Sequence, residues 1–179
     1  MPAVQSLEPA CGSVPVTSEV VWTPEEGSSR DLRHAFGRFA TGVTVITIDS
    51  PDGPYGMTVN SFSSVSLEPA LVLWSVDKAS ARCHYFQEAP HFVVNILSTD
   101  QAATALGFAR DPFAFDGIAW CKSDEGLPVL DDCVATLECQ LEAVHPGGDH
   151  FIIVGKVLKA CVAEREPLLF YKGDFGAMA

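Results

Sequence analysis

GMTVNSFSSVSLEPALVLWSV, residues 56–76, reads as two strands joined by a Glu-Pro turn. The first strand carries Thr58, Asn60 and four serines, Ser61, Ser63, Ser64 and Ser66. In a dry interior each unpaired polar group costs about 1–3 kcal/mol, so these side chains need water or a ligand. On one extended strand Thr58, Asn60, Phe62, Ser64 and Ser66 share a face, and Val59, Ser61, Ser63 and Val65 share the other. Two readings stand: a solvated edge strand, or a ligand wall. Uncharged donors and acceptors of this kind suit a neutral heteroaromatic ring with alternating N–H, C=O and N groups.

Working outward, RDLRHAFGRF has Leu32, Ala35, Phe36 and Phe39 at helical spacing, with Ser28 or Ser29 as cap and Gly42 as the end. VTVITID (43–49) is a β-branched strand, followed by a turn over SPDGPYG. DKASARCHYFQEA reads as a helix with Asp77 as N-cap, and HFVVNIL (91–97) as a buried strand. Ser98 and Gln101 form an S-x-x-Q capping box opening the next helix. Residues 109–133, with two prolines and two glycines, read as an irregular surface excursion. VATLECQLEAV alternates cleanly, HPGGDH is a hairpin turn, and FIIVGKVLKACV returns as its partner. PLLFYKG adds a short closing strand. Strands dominate with no βαβ rhythm, which predicts a mainly β protein with short helices, an antiparallel barrel rather than a doubly wound sheet. Residues 1–29, with Pro2, Pro9, Pro15 and Pro24, read as an N-terminal extension, loose or arm-like, before a domain over 30–179.

The 179 residues suffice for one core. A net charge of −12 with only 11 Lys and Arg argues against a nucleic-acid partner, which requires a concentrated basic patch. No apolar run approaches the roughly 18 residues of a membrane span, and the first residues do not read as a secretory signal. Six cysteines without a CxxC pair read as reduced thiols and point to a cytoplasmic protein. Neither G-x-G-x-x-G nor G-x(4)-G-K-[ST] is present.

Two further segments carry chemistry. Lys78, Ser80 and Arg82 fall at the expected start of a helix, where free N–H groups and the dipole favour a phosphate; an ordinary exposed first turn is the other reading. A ring wall followed at once by a phosphate cradle describes a mononucleotide site. His145-Pro146-Gly147-Gly148-Asp149-His150 brings two histidines and a carboxylate together, but a tight Gly-Gly hairpin does not supply three converging metal ligands, so no metal is expected. No G-x-S-x-G or cysteine–histidine signature marks a nucleophile.

GMTVNSFSSVSLEPALVLWSV, with FATGVTVIT before it and HFVVNIL after it, resembles the short-chain flavin reductases of two-component monooxygenase systems. KAS (78–80), Gly107-Phe108, GGDHF (147–151) and PLLFYKG agree, and the likeness runs from about Leu32 to Tyr171. The resemblance implies an antiparallel Greek-key split β-barrel of the FMN-binding type. Carried over, it sets Met57, Thr58, Val59, Asn60 and Ser61 along the flavin ring and ribityl chain, with Ser75, Val76 and Asp77 on the next strand end. It sets Ser80, Ala81 and Arg82 at the phosphate with Lys78 beside them, Phe108 closing over the flavin, and His150 on the nicotinamide side.

The resemblance thus implies an NAD(P)H:flavin oxidoreductase using FMN or FAD, with NADH or NADPH as hydride donor. It also implies a homodimer that supplies reduced flavin by diffusion to a separate monooxygenase. Hydride transfer between two cofactors needs no protein acid or base at the key step, which suits a chain without a nucleophile signature. A flavin-binding sensor or carrier without turnover is the alternative of another class. An oxidase of the pyridoxamine-phosphate split-barrel group ranks behind both, since one Lys and one Arg make a weakly basic pocket.

Overall fold

The computed structural model describes residues 22–178, so most of the expected 1–29 extension lies outside the described residues. The elements in chain order are α1 (Ser29–Phe36), β1 (Thr41–Gly42), β2 (Thr44–Ser50), β3 (Gly53–Val59), β4 (Ser63–Leu67), β5 (Ala70–Asp77), α2 (Cys83–Glu88) and β6 (His91–Ile96). A 3-10 turn (Thr99–Gln101) then leads into α3 (Ala102–Arg110), followed by β7 (Trp120–Lys122), β8 (Pro128–Leu130), β9 (Ala135–Gly147), β10 (His150–Val162), β11 (Leu169–Tyr171) and β12 (Asp174–Gly176). Seven strands form one sheet in the order β3-β2-β6-β9-β10-β5-β4, every pair antiparallel.

That order forces the sheet to curl. Its two edges, β3 and β4, are consecutive in the chain and separated only by Asn60–Phe62. Six spacings of about 4.8 Å would hold the edges of a flat sheet about 29 Å apart, whereas the four peptide steps from Val59 to Ser63 span at most about 14 Å. The result is a barrel left open between β3 and β4. The 56–67 stretch is therefore two strands rather than one. β3 ends where its partner does, at the Val59–Thr44 pair, because the chain before Thr44 leaves for a separate three-stranded sheet, β1-β11-β12. Ser61 fixes the linker to β5, beyond the last β4–β5 pair: its Oγ accepts from Ser75 N at 2.9 Å and donates to Ser75 O at 3.3 Å.

β2 is buried on both faces and divides two cores. Ile46 and Ile48 face the barrel interior with Trp74, Phe86, Phe92, Val94 and Ile153. Val43 and Val45 face an outer layer with Leu97, Ala105, Phe108, Phe115 and Leu130. The latter residues correct the reading of 109–133 as a surface excursion. It folds back as the β7–β8 hairpin and buries Phe115, Leu127 and Leu130. A polar clamp fixes it. Asn95, fully buried, donates to Val45 O (2.9 Å) and Thr47 Oγ1 (3.0 Å) and accepts from Leu130 N (2.9 Å), while Thr47 donates to Pro128 O.

The expected end of α1 at Gly42 is also corrected. The helix stops at Phe36 with Gly37 as C-cap, and Gly42 lies in β1. Lys172 N donates to Gly37 O at 3.0 Å, so the C-terminal segment takes a carbonyl that a longer helix would have used. Ser28 caps the helix with Asp31 in a reciprocal box, and the Ser98–Gln101 box forms as read.

Asn95→Ala removes three buried hydrogen bonds and is expected to cost about 2–4 kcal/mol, against about 1–2 for Thr47→Val. Urea denaturation checks this, and a loss below about 1 kcal/mol for Asn95→Ala would show that the clamp does not hold the hairpin. Gly155 has no room for a methyl group, since a Cβ there meets the Phe92 ring. Gly155→Ala is expected to cost about 1–3 kcal/mol by overpacking, read from the same transition.

Candidate active site

The chain leaves the barrel at the end of β5, and Asp77 with the next five residues shapes the site. They are not a helix start, as the sequence pattern suggested. Asp77 Oδ1 accepts from Ala79 N (2.8 Å), Asp77 O from Ser80 N (3.1 Å), and Ser80 Oγ from Arg82 N (3.2 Å). Aspartate and serine side chains compete with helical bonding for local N–H groups, and α2 begins only at Cys83, without a side-chain cap. A phosphate here would meet side chains and a turn rather than a helix dipole.

Two cations tie this loop to its neighbours. Lys78 donates from Nζ to Gly148 O (2.5 Å) and from its backbone N to Asp149 O (2.9 Å), and its ammonium stands 4.9 Å from the Phe151 ring centroid. Arg82 donates from Nη1 to Phe108 O (2.5 Å) and from Nη2 to Ala109 O (3.4 Å). The guanidinium thereby satisfies carbonyls at the end of α3, where a cation is favoured. An ammonium has three donors and a guanidinium five, so both keep N–H groups for an anion. Ser80 keeps its hydroxyl hydrogen, and Ala81 is exposed beside it.

The β9–β10 turn closes the other side. Gly148 has φ +64°, which glycine adopts without a Cβ penalty in a two-residue hairpin. His150 pairs with Gly147 on one side and faces Asp77 of β5 on the other. Its Nδ1 lies 2.8 Å from Asp149 Oδ1. The His150 hydrogen bond and its charge hold the exposed Asp149 carboxyl below the usual value. An ionised carboxylate only accepts, so Nδ1 carries the proton and Nε2 is the nitrogen left to meet a ligand. Asp149, to which the sequence reading gave no role toward His150, orients the histidine. Its position next to His150 in GGDH is the signal that could have found it.

The polar stretch divides into spent and unspent groups. The Thr58 hydroxyl donates to Ala105 O of α3 at 2.7 Å and can only accept from a ligand. Ser61 is joined to the backbone of Ser75 beyond the end of β4. Met57 and Val59 are half-buried against the interior. Val76 is 2% exposed and has only backbone to offer. Asn60 is exposed, and among the described residues its amide has no hydrogen-bond partner. Phe108 corrects the expectation of a lid: it is fully buried, its ring 4.8 Å from that of Phe115 and directly over Gly56. A ring locked in the outer core cannot close over a ligand, and only its carbonyl, through Arg82, reaches the site.

The structure thus brings Asn60, Ser61, Ser75, Asp77, Lys78, Ser80, Ala81, Arg82 and His150 to one end of the barrel. An amide open beside a hydroxyl and two cations with unused donors fits a ring bearing polar edges and a phosphate. Among the described residues no group of three or more His, Cys, Asp or Glu is placed to hold a metal ion. Burial pushes the Cys133 and Cys139 thiols up to about 12, so neither is a nucleophile at neutral pH. A groove of about 490 Å³ between the β7–β8 hairpin and the far ends of β9 and β10 contains none of the site residues. No described helix is long and apolar enough to cross a membrane.

An antiparallel split barrel with such an end defines a flavin-binding class, and the comparisons specify it. Residues 36–179 match the family model described as "Flavin reductase like domain". The chain is 48% identical over 164 residues to "FMN reductase (NADH) SmoA" of Agrobacterium fabrum, covering 92% of this chain and 94% of that protein. It is 39% identical over 162 residues to "Flavin-dependent monooxygenase, reductase subunit HsaB" of Rhodococcus jostii, covering 89% and 83%. Among solved structures, the Streptomyces globisporus NADH:FAD oxidoreductase SgcE6, in complex with NAD and FAD fragments, superposes with TM-score 0.83 at 40% identity, covering 90% and 98%. The chain belongs to the flavin reductase like family.

Removing Arg82 uncovers carbonyls of α3 as well as the cradle. Arg82→Ala is expected to lower stability by about 1–2 kcal/mol, while Ser80→Ala stays within about 0.5 kcal/mol. The double variant is expected to bind flavin at least about tenfold more weakly. Thermal melts and fluorescence titration read the two effects separately, and unchanged flavin affinity would remove the phosphate role from this loop.

Proposed function

We propose that this protein is an NAD(P)H:flavin oxidoreductase that reduces FMN or FAD and supplies the reduced flavin to a separate monooxygenase. The observation that carries the reading is the single bonded ring of elements at the barrel end. Lys78 ties the Asp77–Arg82 loop to the histidine hairpin, Arg82 ties it to α3, and Ser61, in the segment after β3, bonds the Ser75 backbone of β5 just before it. Family membership and the reductase relatives support the same reading.

When bound, flavin supplies the hydride acceptor at its N5, and nicotinamide supplies the donor. The protein's part is to hold and align. Asn60 offers both a donor and an acceptor to a ring edge, and Thr58 offers an acceptor. Ser75, Val76 and Asp77 at the end of β5 would hold the flavin through polar side-chain and backbone groups, with Met57 and Val59 as apolar support. Lys78, Ser80, Ala81 N–H and Arg82 would take the phosphate. His150, held in one tautomer by Asp149, presents Nε2 to the nicotinamide side. Alignment of this kind converts a bimolecular step into a nearly unimolecular one.

The exposed position of Lys78, Ala79 and Ala81 supports a flavin that enters and leaves, hence transfer by diffusion. Apolar side chains left in solvent, Phe36 (69%), Phe39 (78%) and Leu67 (90%), support a homodimer in which a second copy covers them. The five described cysteines are free thiols, which supports a reducing, cytoplasmic location.

Anaerobic oxidation of NADH and NADPH by the purified protein, with FMN or FAD added in turn, is expected to bleach stoichiometric flavin rapidly. Flavin binding without reduction by either nucleotide would make the protein a carrier or sensor instead. His150→Ala is expected to raise KM for the nicotinamide nucleotide about tenfold with flavin affinity within about twofold. Loss of flavin binding would move His150 to the other side of the site.

A further inference from the structure

One surface next to the cradle is not used by the ring and phosphate contacts above. His84 and Tyr85 follow Arg82 on α2, with ring centroids 4.0 Å apart and planes at 38°. Tyr55 of β3 backs Tyr85 at 4.7 Å, and Phe113 meets Tyr55 edge-on at 5.1 Å. His84 is exposed and Phe113 is 47% exposed, so this aromatic run comes to the surface instead of ending in the core. It is also fixed: the Tyr85 hydroxyl donates to Asp52 Oδ2 at 2.5 Å, and Phe113 N donates to Asp111 Oδ1 at 2.9 Å. Resting on the flavin reading above, we propose that the His84, Tyr85 and Phe113 face is an adenine-binding shelf, which makes FAD the preferred flavin over FMN.

The shelf and the cradle are continuous through Arg82. Its guanidinium bonds the carbonyls of Phe108 and Ala109, a few residues before Phe113, while its backbone leads directly into His84 and Tyr85. The arginine therefore has an aromatic ring ahead of it on α2 and another behind it after α3. Its charge also reaches the Tyr55 hydroxyl, opposing the burial that raises that group. FMN ends at the phosphate that Ser80, Ala81 and Arg82 take. FAD continues from that point through a second phosphate to ribose and adenine, and the surface met next is aromatic.

The chemistry matches adenine at its edges as well as its faces. A base stacks favourably on an aromatic platform, and preorganised rings lose little entropy on binding. Asp52 and Asp111 each engage one carboxylate oxygen at the rim of the shelf. The other oxygen of each is an acceptor, the partner that an exocyclic amino group requires.

Fluorescence titration of the full-length protein with FAD and FMN separately tests the proposal. The unaltered protein is expected to bind FAD about tenfold more tightly than FMN. His84→Ala and Phe113→Ala, both at exposed positions, are expected to lower FAD affinity about three- to tenfold each and to leave FMN affinity within about twofold. Retained FMN binding reports an intact fold and cradle. Equal affinity for the two flavins, or parallel losses for both in the variants, would overturn the shelf and leave the reductase reading standing. Binding of neither flavin by the unaltered protein would overturn both.

Discussion

The opening between β3 and β4 is the constraint on which the rest of the molecule depends. A seven-stranded sheet whose two edges are joined by three residues must roll, yet the two edges are not paired to each other. The segment that joins the edges is pinned by a side chain: Ser61 Oγ both accepts from and donates to the Ser75 backbone of β5, occupying the place a ladder partner would take beyond the end of β4. A larger or apolar residue there would leave a strand-edge N–H and C=O without partners, at about 1–3 kcal/mol each if shielded from water. The same crossing leaves Asn60 exposed, its amide without a hydrogen-bond partner among the described residues. The anchored serine and the open amide are therefore adjacent residues of one three-residue segment.

A second economy runs through the site. Polar groups that a motif-level reading gives to a ligand turn out to be partly spent on architecture. Thr58 holds α3, Asp77 shapes its own loop, Lys78 holds the hairpin and Arg82 holds the end of α3. Lysine and arginine can do both, because they carry more donors than the structure uses; threonine and aspartate are left with acceptor capacity alone. The two cations are thus rigid before any anion arrives, so little side-chain entropy remains to be lost on binding.

Much of this was legible in sequence where one pattern dominated. The alternation of β9 and β10, the Gly-Gly hairpin, the buried β6 and the Ser98–Gln101 box all follow from local rules, and all are present. The residues that the family likeness singled out lie mostly at one end of the barrel. Failures came where a distant partner decided the outcome. The break at Asn60 depends on where β2 loses its neighbour, the end of α1 on a carbonyl captured by Lys172, and the fold of 109–133 on Asn95 and Thr47. Phe108 failed for the same reason. Its place in the motif is that of a lid, but Gly56, more than fifty residues earlier, leaves a hole on β3 that the ring fills.

The loop after β5 shows why the site needs the whole barrel. As a bare sequence, DKASAR is as good a helix start as a turn, and a helix start would have offered a phosphate its dipole. The turn wins because Asp77 is the last paired residue of β5, opposite His150. Fixed there, its carboxylate takes the Ala79 N–H before a helix can. The cost is the dipole, and the compensation is reach. A turn projects Lys78 toward the hairpin and Arg82 toward α3, whereas the two residues are four apart and would lie on one face of a helix. Divergent cations bind elements on both sides of the loop into one unit, and that brings an amide, a histidine and two cations to one end of the barrel.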